Sequence, residues 1–391
     1  MRPTLRQLLG YFVNLGATGF GGPIALVGRM ERAFVHERRW VSQQQLSDGL
    51  AFAQLAPGPL AAQLAIYLGW LCAGVRGATV AGIGFIMPSF VMVLIIAELY
   101  LRFGGMSWLQ GAFYGVGAAV IAIIARSATK LARTTLKADR LLWTLFAVSA
   151  ITTAWTESEM IWLFVLSGVV ALVVRNGART PTLSGMSPVF AFPANTTFVA
   201  RDWLLTGLAG VAPLAMVGTL FLYFASAGLF VFGSGLAIVP FLHGGVVLQH
   251  HWLSEQQFLD AVAVALITPG PVVITVAFIG YLVAGPLGAF AAAAGVFAPV
   301  YFITLLLAPH YERYKSNLRV RDFIAGVTAA ATGAITGAVF VLGRRAIVDW
   351  TTAAIAIVSL TILLRTKKIP EPLLIVCSGI FGIAARAISA H

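Results

Sequence analysis

The chain has 391 residues, of which 59% are hydrophobic and only 10% are charged, and its mean hydropathy is +0.90. A soluble domain carries about 25% charged residues, so this composition excludes a soluble globular protein and indicates several membrane-spanning helices. The formal net charge is +12. The basic residues lie in short segments between apolar stretches, so we assign them to positive cytoplasmic loops rather than to a surface for nucleic acid.

Apolar stretches of bilayer-crossing length recur along the chain, for example at 78–97, 108–125 and 323–342. Cys72 and Cys377 are far apart and lie in apolar surroundings, so neither a disulfide framework nor a metal site is indicated. We expect an all-α polytopic membrane protein, without a metal or another cofactor, in contact with the lipid bilayer.

The segment from Phe20 to Pro59 matches the segment from Phe232 to Pro271 without a gap, at a constant spacing of 212 residues. After a slip of one residue the match resumes, and it pairs Gly74 with Gly285 and Pro88 with Pro299. A duplicated apolar chain with helix breakers at matched positions is the sequence pattern of a secondary transporter.

Four helix breaks punctuate the two halves, two in each. Proline at the start of a helix fits its fixed backbone angle, so Pro23, Pro59 and Pro271 are predicted helix starts. Free N–H groups at such starts bind anions. We therefore predict one anion site from the breaks and from two aligned donors one turn further on. The predicted substrate-binding residues are Gly21, Gly22, Pro23, Pro57, Gly58, Pro59, Gln63, Gly233, Ser234, Gly235, Pro269, Gly270, Pro271 and Thr275.

Helix packing is the plainer explanation of many glycines in a membrane protein, but it does not explain matched Pro-Gly-Pro triplets. Residues 42–56 and 60–75 are each short for a crossing. We favour a re-entrant hairpin with its tip at Pro57-Gly58-Pro59 over two full spans. Ser42 with Gln45, and Ser254 with Gln257, have the spacing of capping boxes.

The distribution of lysine and arginine predicts opposite orientations for the two halves. In the first half, basic residues are concentrated in 29–40 and 126–140, whereas the counterpart of the first of these, Pro240 to Trp252, has none. We expect that second segment, with His243, to be an external loop. The predicted organisation is a transmembrane repeat at 1–174, a cytoplasmic linker at 175–202 and an inverted repeat at 203–391, with broken or re-entrant helices. An apolar stretch from Trp203 would supply the crossing that inverts the second repeat.

Asp48 and Asp260 occupy matched positions, a short distance past each helix cap. A carboxylate repeated near the membrane entrance predicts a proton-coupling role, and a solvated polar face is the simpler alternative. The sequence Phe20-Gly21-Gly22-Pro23 lacks the Lys-Ser/Thr that completes a nucleotide-binding loop.

At these motifs the chain resembles the chromate ion transporter family in its long, two-domain form. The resemblance rests on Phe20 to Pro23, Glu37 to Ser42 and Gln54 to Pro59, and it recurs at Phe232 to Gly235 and Ile267 to Pro271. Many members have Glu-Ala-Gln-Gln after Pro-Gly-Pro, whereas this chain has Leu60-Ala61-Ala62-Gln63.

The resemblance implies a secondary active transporter that exports chromate across the bacterial inner membrane and confers chromate resistance, with sulfate as the related dianion. The alternatives are a transporter of sulfate or another dianion, and a passive anion channel. An enzyme such as a chromate reductase is disfavoured, because the sequence has no flavin motif, haem ligand pair or cysteine cluster. The oligomeric state stays open, with a homodimer as one arrangement.

Overall fold

The computed structural model describes residues 3–20, 22–103, 106–156, 161–176, 206–208, 210–229, 232–233, 235, 238–311, 317–366 and 371–389. Gly21 and Ser234 of the predicted site lie outside the described residues, as do Trp203 and nearly all of the predicted linker.

Helices dominate the described chain, and in chain order they are α1 (Leu5–Thr18), α2 (Gly22–Glu31), α3 (Gln43–Leu55), α4 (Leu60–Phe103), α5 (Ser107–Leu136), α6 (Arg140–Thr156), α7 (Ile161–Asn176), α8 (Leu214–Leu229), α9 (Ile238–His243), α10 (Glu255–Ile267), α11 (Thr275–Leu307), α12 (Leu318–Ala346), α13 (Trp350–Arg365) and α14 (Glu371–Ser389). One turn of π-helix follows α2 (Arg32–Glu37) and another follows α9 (Gly244–Gln249). Short 3₁₀ turns precede α11 (Val272–Ile274) and follow it (Ala308–His310).

Two-residue strands are the remaining regular elements: β1 (Gly58–Pro59), β2 (Thr206–Gly207), β3 (Gly210–Val211) and β4 (Phe232–Gly233). Within the described ranges, four stretches are long and apolar enough to cross a membrane: Leu60–Phe103, Trp108–Leu136, Val272–His310 and Leu318–Ala346. The prediction of an all-α, multi-pass membrane protein is confirmed.

The duplication seen in the sequence recurs in the backbone. Both long helices break at their matched glycines, with φ +60° at Gly74 and +63° at Gly285. Arg39 and His251, also matched, share a positive φ near the ends of the two π-helical turns. Both predicted capping boxes are present, because the Ser42 and Ser254 side chains accept from the N–H groups of Gln45 and Gln257. Matched sequence has therefore produced matched local structure.

Helices α3 and the start of α4 fold back on each other around the Pro57-Gly58-Pro59 loop. Phe52 of α3 stacks on Tyr67 of α4 with ring centroids 5.5 Å apart. Helix α3 has 13 residues and is therefore about 20 Å long, which is less than the roughly 30 Å apolar core of a bilayer. This is the geometry of a re-entrant hairpin.

Helices α1 and α2 form a similar hairpin, because Tyr11 of α1 meets Phe34 just beyond α2 at a centroid distance of 5.2 Å. In the second half, α8 and α9 do the same through Tyr223 and Phe241, whose centroids are 5.8 Å apart. The turns of these three hairpins, together with the turn between α10 and α11, are the four helix breaks. We call them tip 1 (residues 20–23), tip 2 (57–59), tip 3 (232–235) and tip 4 (269–271).

Three expectations from the sequence need correction. Pro59 and Pro271 stand immediately before their helices, Pro23 is the second residue of α2, and the helix after Pro271 begins as a 3₁₀ turn. Segments 29–40 and 240–252 are largely helical rather than loops. His243 is not an external-loop residue: it ends α9, is buried, and its Nε2 lies 2.8 Å from Glu255 Oε2. Apolar contacts in each hairpin favour helix over loop there.

An ionic cluster joins the two halves at the end of α7. Arg175 contacts Asp139, between α5 and α6, and its Nη1 lies 2.6 Å from Asp322 Oδ1 in the first turns of α12. Burial raises the pKa of the Asp139 carboxyl. The N–H of Leu142 and the Arg175 guanidinium together lower that pKa by more than burial raises it, so it lies below its ordinary value. The cluster fixes the end of α7 against α12.

Candidate functional site

The hairpin tips pair across the two halves of the molecule rather than within each half. In tip 2, Gly58 and Pro59 pair in parallel with Phe232 and Gly233 of tip 3. The N–H of Gly270 in tip 4 donates to the carbonyl of Gly19, next to tip 1, at 2.9 Å. These two contacts are equivalent under the repeat, so the tips exchange partners symmetrically. Each half therefore supplies one partner of both of these contacts.

All four tips border one cleft. The room inside it is only about 10 Å³, which is about that of one water molecule, and the surrounding 260 Å³ of empty space includes solvent at the mouth. The lining residues described for it are apolar or glycine: Pro23, Leu26, Pro59, Leu60, Ala61, Gly235, Gly270, Pro271, Val272 and Val273. Five of the predicted site residues are thus brought together, namely Pro23, Pro59, Gly235, Gly270 and Pro271.

Two helix N-termini border this cleft directly. Leu60 and Ala61 are the first residues of α4, and Val272 and Val273 begin the 3₁₀ turn that leads into α11. Their N–H groups precede the first intrahelical bonds, and each N-terminus carries roughly half a positive charge. The start of α2 adds a third terminus. Helix N-termini of this kind can bind an anion through backbone dipoles without a charged side chain.

Glycine is required in tips 2 and 4 by backbone angle and by space. Gly58 has φ +138° and Gly270 has φ +98°, which L-residues rarely adopt. A Cβ on Gly270 would lie 1.9 Å from Ser89 Oγ of α4, and a Cβ on Gly58 would lie 2.9 Å from Val300 Cγ1 of α11. Ser89 and Val300 are matched positions of the repeat. Each long helix therefore covers the tip that belongs to the other half.

The two aligned donors have different surroundings. Gln63 is fully buried, and its Nε2 donates to the Pro57 carbonyl at 2.7 Å. Its Oε1 is buried and has no hydrogen-bond partner in the described structure. Thr275 is also fully buried, but its hydroxyl donates to the Val272 carbonyl of its own turn at 2.8 Å. Gln63 therefore holds tip 2, whereas Thr275 is bonded within its helix.

Asp48 and Asp260, the predicted coupling residues, lie away from the cleft. Asp260 is eight residues before Thr268 along α10, which corresponds to about 12 Å of helix. Its side chain is 3% exposed, and it accepts from Tyr100 at 2.7 Å and from Gln256 at 2.8 Å. Asp48 is only partly buried and accepts from Gln44 at 3.1 Å. The two matched carboxylates therefore have different burial and different hydrogen-bond partners.

Sequence reasoning missed Ser89 and Tyr100. Ser89 follows Pro88, which matches Pro299, and the polar-for-apolar difference between Ser89 and Val300 was the available signal. Tyr100 lies 160 positions from Asp260, and no local pattern connects them.

The site's architecture can be compared with known proteins. The sequence profile of a family described as "Chromate transporter" matches residues 6–172 and 218–383. The chain belongs to the chromate transporter family. The two matched regions are the two halves that contribute the hairpin tips, so the family pattern covers the cleft from both sides. No solved structure matches the chain.

Several curated relatives are similar over most of the chain. A protein named "Chromate transport protein" from Cupriavidus metallidurans is 50% identical over 391 residues, covering 99% of this chain and 95% of the relative. A "Probable chromate transport protein" from Synechococcus elongatus is 49% identical, covering 97% and 95% respectively. A "Chromate transport protein" from Pseudomonas aeruginosa is 33% identical, covering 84% and 79%.

Proposed function

We propose that this chain is a secondary active transporter that exports chromate across the bacterial inner membrane and so confers chromate resistance. The observation that carries the proposal is the convergence of four hairpin tips on one cleft bordered by helix N-termini. The names of the relatives support chromate as the substrate. A transporter, rather than an enzyme, fits a cleft whose described lining offers backbone N–H groups and no nucleophile or acid–base pair.

We propose further that residues 1–174 and 203–391 are inverted repeats joined by a cytoplasmic linker at 175–202. Two contacts support opposite orientations. Near the end of α4, Tyr100 bonds Asp260 in the second turn of α10. Beyond the end of α11, Tyr311 packs on Phe52 near the end of α3, with ring centroids 5.7 Å apart. We call α3 and α10, the helices that precede the two Pro-Gly-Pro tips, the entry helices. Each long helix, α4 or α11, thus ends beside the entry helix of the other repeat. The reversed charge bias between the repeats agrees with this arrangement.

Export then follows from rocking one repeat against the other around the cleft. The two entry helices differ in this structure: Gln54 in the last turn of α3 is exposed, whereas the matched Leu266 of α10 is buried. This difference supports, within the proposal, a conformation that is more accessible beside α3 than beside α10. Under the proposed orientation, the α3 side faces the cytoplasm, from which the exported oxyanion would enter.

The test is chromate uptake into inside-out membrane vesicles with an imposed pH gradient. The expected result is accumulation that collapses when the gradient is dissipated, because a carrier concentrates substrate only while it is coupled. Flux without accumulation would indicate a channel. Sulfate added as competitor, and then offered as substrate, decides whether another dianion is preferred. The absence of uptake in vesicles that contain inserted protein would refute chromate transport.

Ser89 supplies a second, narrower prediction. Its hydroxyl is buried against Gly270 of the cleft and donates to the Gly16 carbonyl over a long bond of 3.3 Å, so within the proposal it would donate to an oxyanion after giving up that long bond. Losing one hydrogen bond costs roughly 1 kcal/mol, so Ser89→Ala should lower the initial rate of chromate uptake about fivefold. Ser149→Ala is the matched control, a fully buried serine of α6. Equal rates for both variants would remove Ser89 from the site.

A further inference from the structure

Asp260 is a buried carboxylate held by neutral donors from both repeats. Its Oδ2 accepts from the Tyr100 hydroxyl of α4 at 2.7 Å, and its Oδ1 accepts from the Gln256 amide of its own helix at 2.8 Å. Within a membrane protein an ionisable side chain is expensive to bury and is functional by default. The hydrogen bond to Tyr100 is also a direct link between the long helix of one repeat and the entry helix of the other.

The surroundings of this pair are otherwise apolar. Phe113 of α5 and Phe278 of α11 pack edge-on against the Tyr100 ring, at centroid distances of 5.5 Å and 5.4 Å. The π-helical turn before α10 and the 3₁₀ turn after it carry no titratable side chain. A carboxylate without a cationic partner in such surroundings is strongly stabilised by a hydrogen-bond donor. The strength of the hydrogen bond from Tyr100 therefore depends on whether Asp260 is ionised.

Other titratable groups on the neighbouring helices have partners of their own. Tyr281 of α11 donates to Glu98 of α4 at 2.7 Å, and Glu98 pairs with Arg102. Glu255, at the start of α10, contacts Arg345 of α12 and lies 2.8 Å from His243.

Two more distant arginines of α5 and α14 are also engaged, and Lys130 and Arg133 of α5 are exposed near its far end. Arg126 of α5 lies 4.0 Å from Glu371 at the start of α14. Near the other end of α14, Arg386 reaches Gln110 and the Tyr114 ring of α5. Tyr100 and Gln256 are thus the polar contacts that the structure gives the Asp260 carboxylate.

We propose that Tyr100 is the positioning residue that links the protonation of Asp260 to closure of the cleft beside α10. Ionised Asp260 accepts from Tyr100 and holds α10 against α4, so this side is closed. A proton from water on the α10 side binds an Asp260 oxygen, and the Tyr100 hydroxyl loses its anionic acceptor. The α4–α10 contact then loosens and the cleft opens to that side. Loss of the proton restores the contact.

This inference rests on the proposed transport function, and it assigns Asp260 and Asp48 unequal roles. Asp260 is the carboxylate whose charge holds a contact between repeats. Asp48, which is partly buried and bonded to Gln44 of its own helix, is not expected to close the α10 side.

The test measures opening directly, without substrate. A cysteine replaces Ala263, which is buried one turn beyond Asp260 on α10, in a chain carrying Cys72→Ala and Cys377→Ser. A membrane-impermeant thiol reagent is applied from the α10 side over a range of pH. Because the reactive thiolate fraction itself falls as pH falls, each rate is divided by that of a chain that keeps only the exposed Cys377. The normalised labelling of the otherwise unmodified chain should rise as pH falls, by up to about tenfold per pH unit for one linked proton.

Tyr100→Phe should be labelled rapidly at every pH and should lose chromate accumulation driven by a pH gradient, while gradient-free chromate exchange persists. Tyr281→Phe is the matched control, because it removes a buried hydroxyl that donates to a different carboxylate at the same distance. It should keep the pH-dependent labelling. Asp260→Asn should also make labelling independent of pH. It tests the same proposal if the Tyr100→Phe protein fails to insert into the membrane.

Three results would overturn the proposal: normal pH-dependent labelling in Tyr100→Phe, the same change in Tyr281→Phe, or coupled accumulation that survives Asp260→Asn. If vesicles accumulate no chromate at all, the proposed function fails. The labelling experiment still decides whether Tyr100 and Asp260 control opening, because it requires no substrate.

Discussion

Replacing Gly270 with alanine is expected to reduce chromate transport to background. Two effects act together at this position. The backbone has φ +98°, and positive φ costs an L-residue roughly 1–2 kcal/mol. The added Cβ would also lie 1.9 Å from Ser89 Oγ and 3.3 Å from the Gly16 carbonyl oxygen. Tip 4 has to move away from α4 and tip 1, and the bond from the Gly270 N–H to the Gly19 carbonyl is lost with that movement.

Gly74→Ala separates these two effects. Gly74 also has a positive φ, +60°, but a Cβ there would meet no atom within 4 Å. It should therefore carry the conformational cost alone and keep most of the transport rate. Uptake in inside-out vesicles, normalised to inserted protein, measures both variants. Adding Ser89→Gly to Gly270→Ala should restore part of the rate, because it removes the nearest clashing atom. Equal losses in the two single variants would argue against close packing at tip 4 as the cause.

The local structure of the repeats was predictable from sequence because it depends on neighbours in the chain. The Ser42 and Ser254 caps need only a glutamine three residues later. The matched glycines at Gly74 and Gly285 mark helix breaks because glycine alone accepts that backbone angle at low cost. The spacing between the halves, 212 residues for the caps and 211 for the glycines after the slip of one residue, then transfers each feature from one half to the other.

The pairing of the tips was not predictable in this way. A repeat identifies equivalent positions, but it does not say whether Gly58 pairs with its own half or with Phe232 of the other. That choice depends on how the long helices pack. Val300 of α11 covers tip 2, and Ser89 of α4 covers tip 4. The binding role of the tips stays a prediction, although the structure brings them to one cleft.

Departures from the repeat were also hidden from sequence reasoning. Asp48 and Asp260 look identical in an alignment of the two halves, yet one is partly exposed and the other is buried against Tyr100. The burial of each carboxylate depends on the elements that cover its entry helix, which are distant in sequence. In any one conformation of a carrier, the elements that cover α3 differ from those that cover α10. Equivalent residues in the sequence can therefore have unequal roles at any moment of the transport cycle.

Gln63 and Thr275 are aligned in the repeat, but their substitution is expected to have unequal effects. In Gln63→Leu the partly buried Pro57 carbonyl loses the donor that the fully buried Gln63 side chain supplies, and a polar group left unsatisfied away from water costs about 1–3 kcal/mol. Tip 2 should lose its fixed position, and the rate of chromate uptake should fall about tenfold or more, since 1.4 kcal/mol corresponds to a factor of ten.

Thr275→Val is the matched control, and it should retain most of the uptake rate. The Thr275 hydroxyl donates only within its own turn, to the Val272 carbonyl, so its loss leaves tip 4 in position. Initial uptake rates, with thermal unfolding of the purified proteins, distinguish a displaced tip from a protein that fails to fold. If the two variants lost activity equally without a change in stability, both side chains would bind substrate, and the symmetric site expected from sequence would be correct. If only Gln63→Leu is impaired, the amide that holds tip 2 is the functional member of the pair.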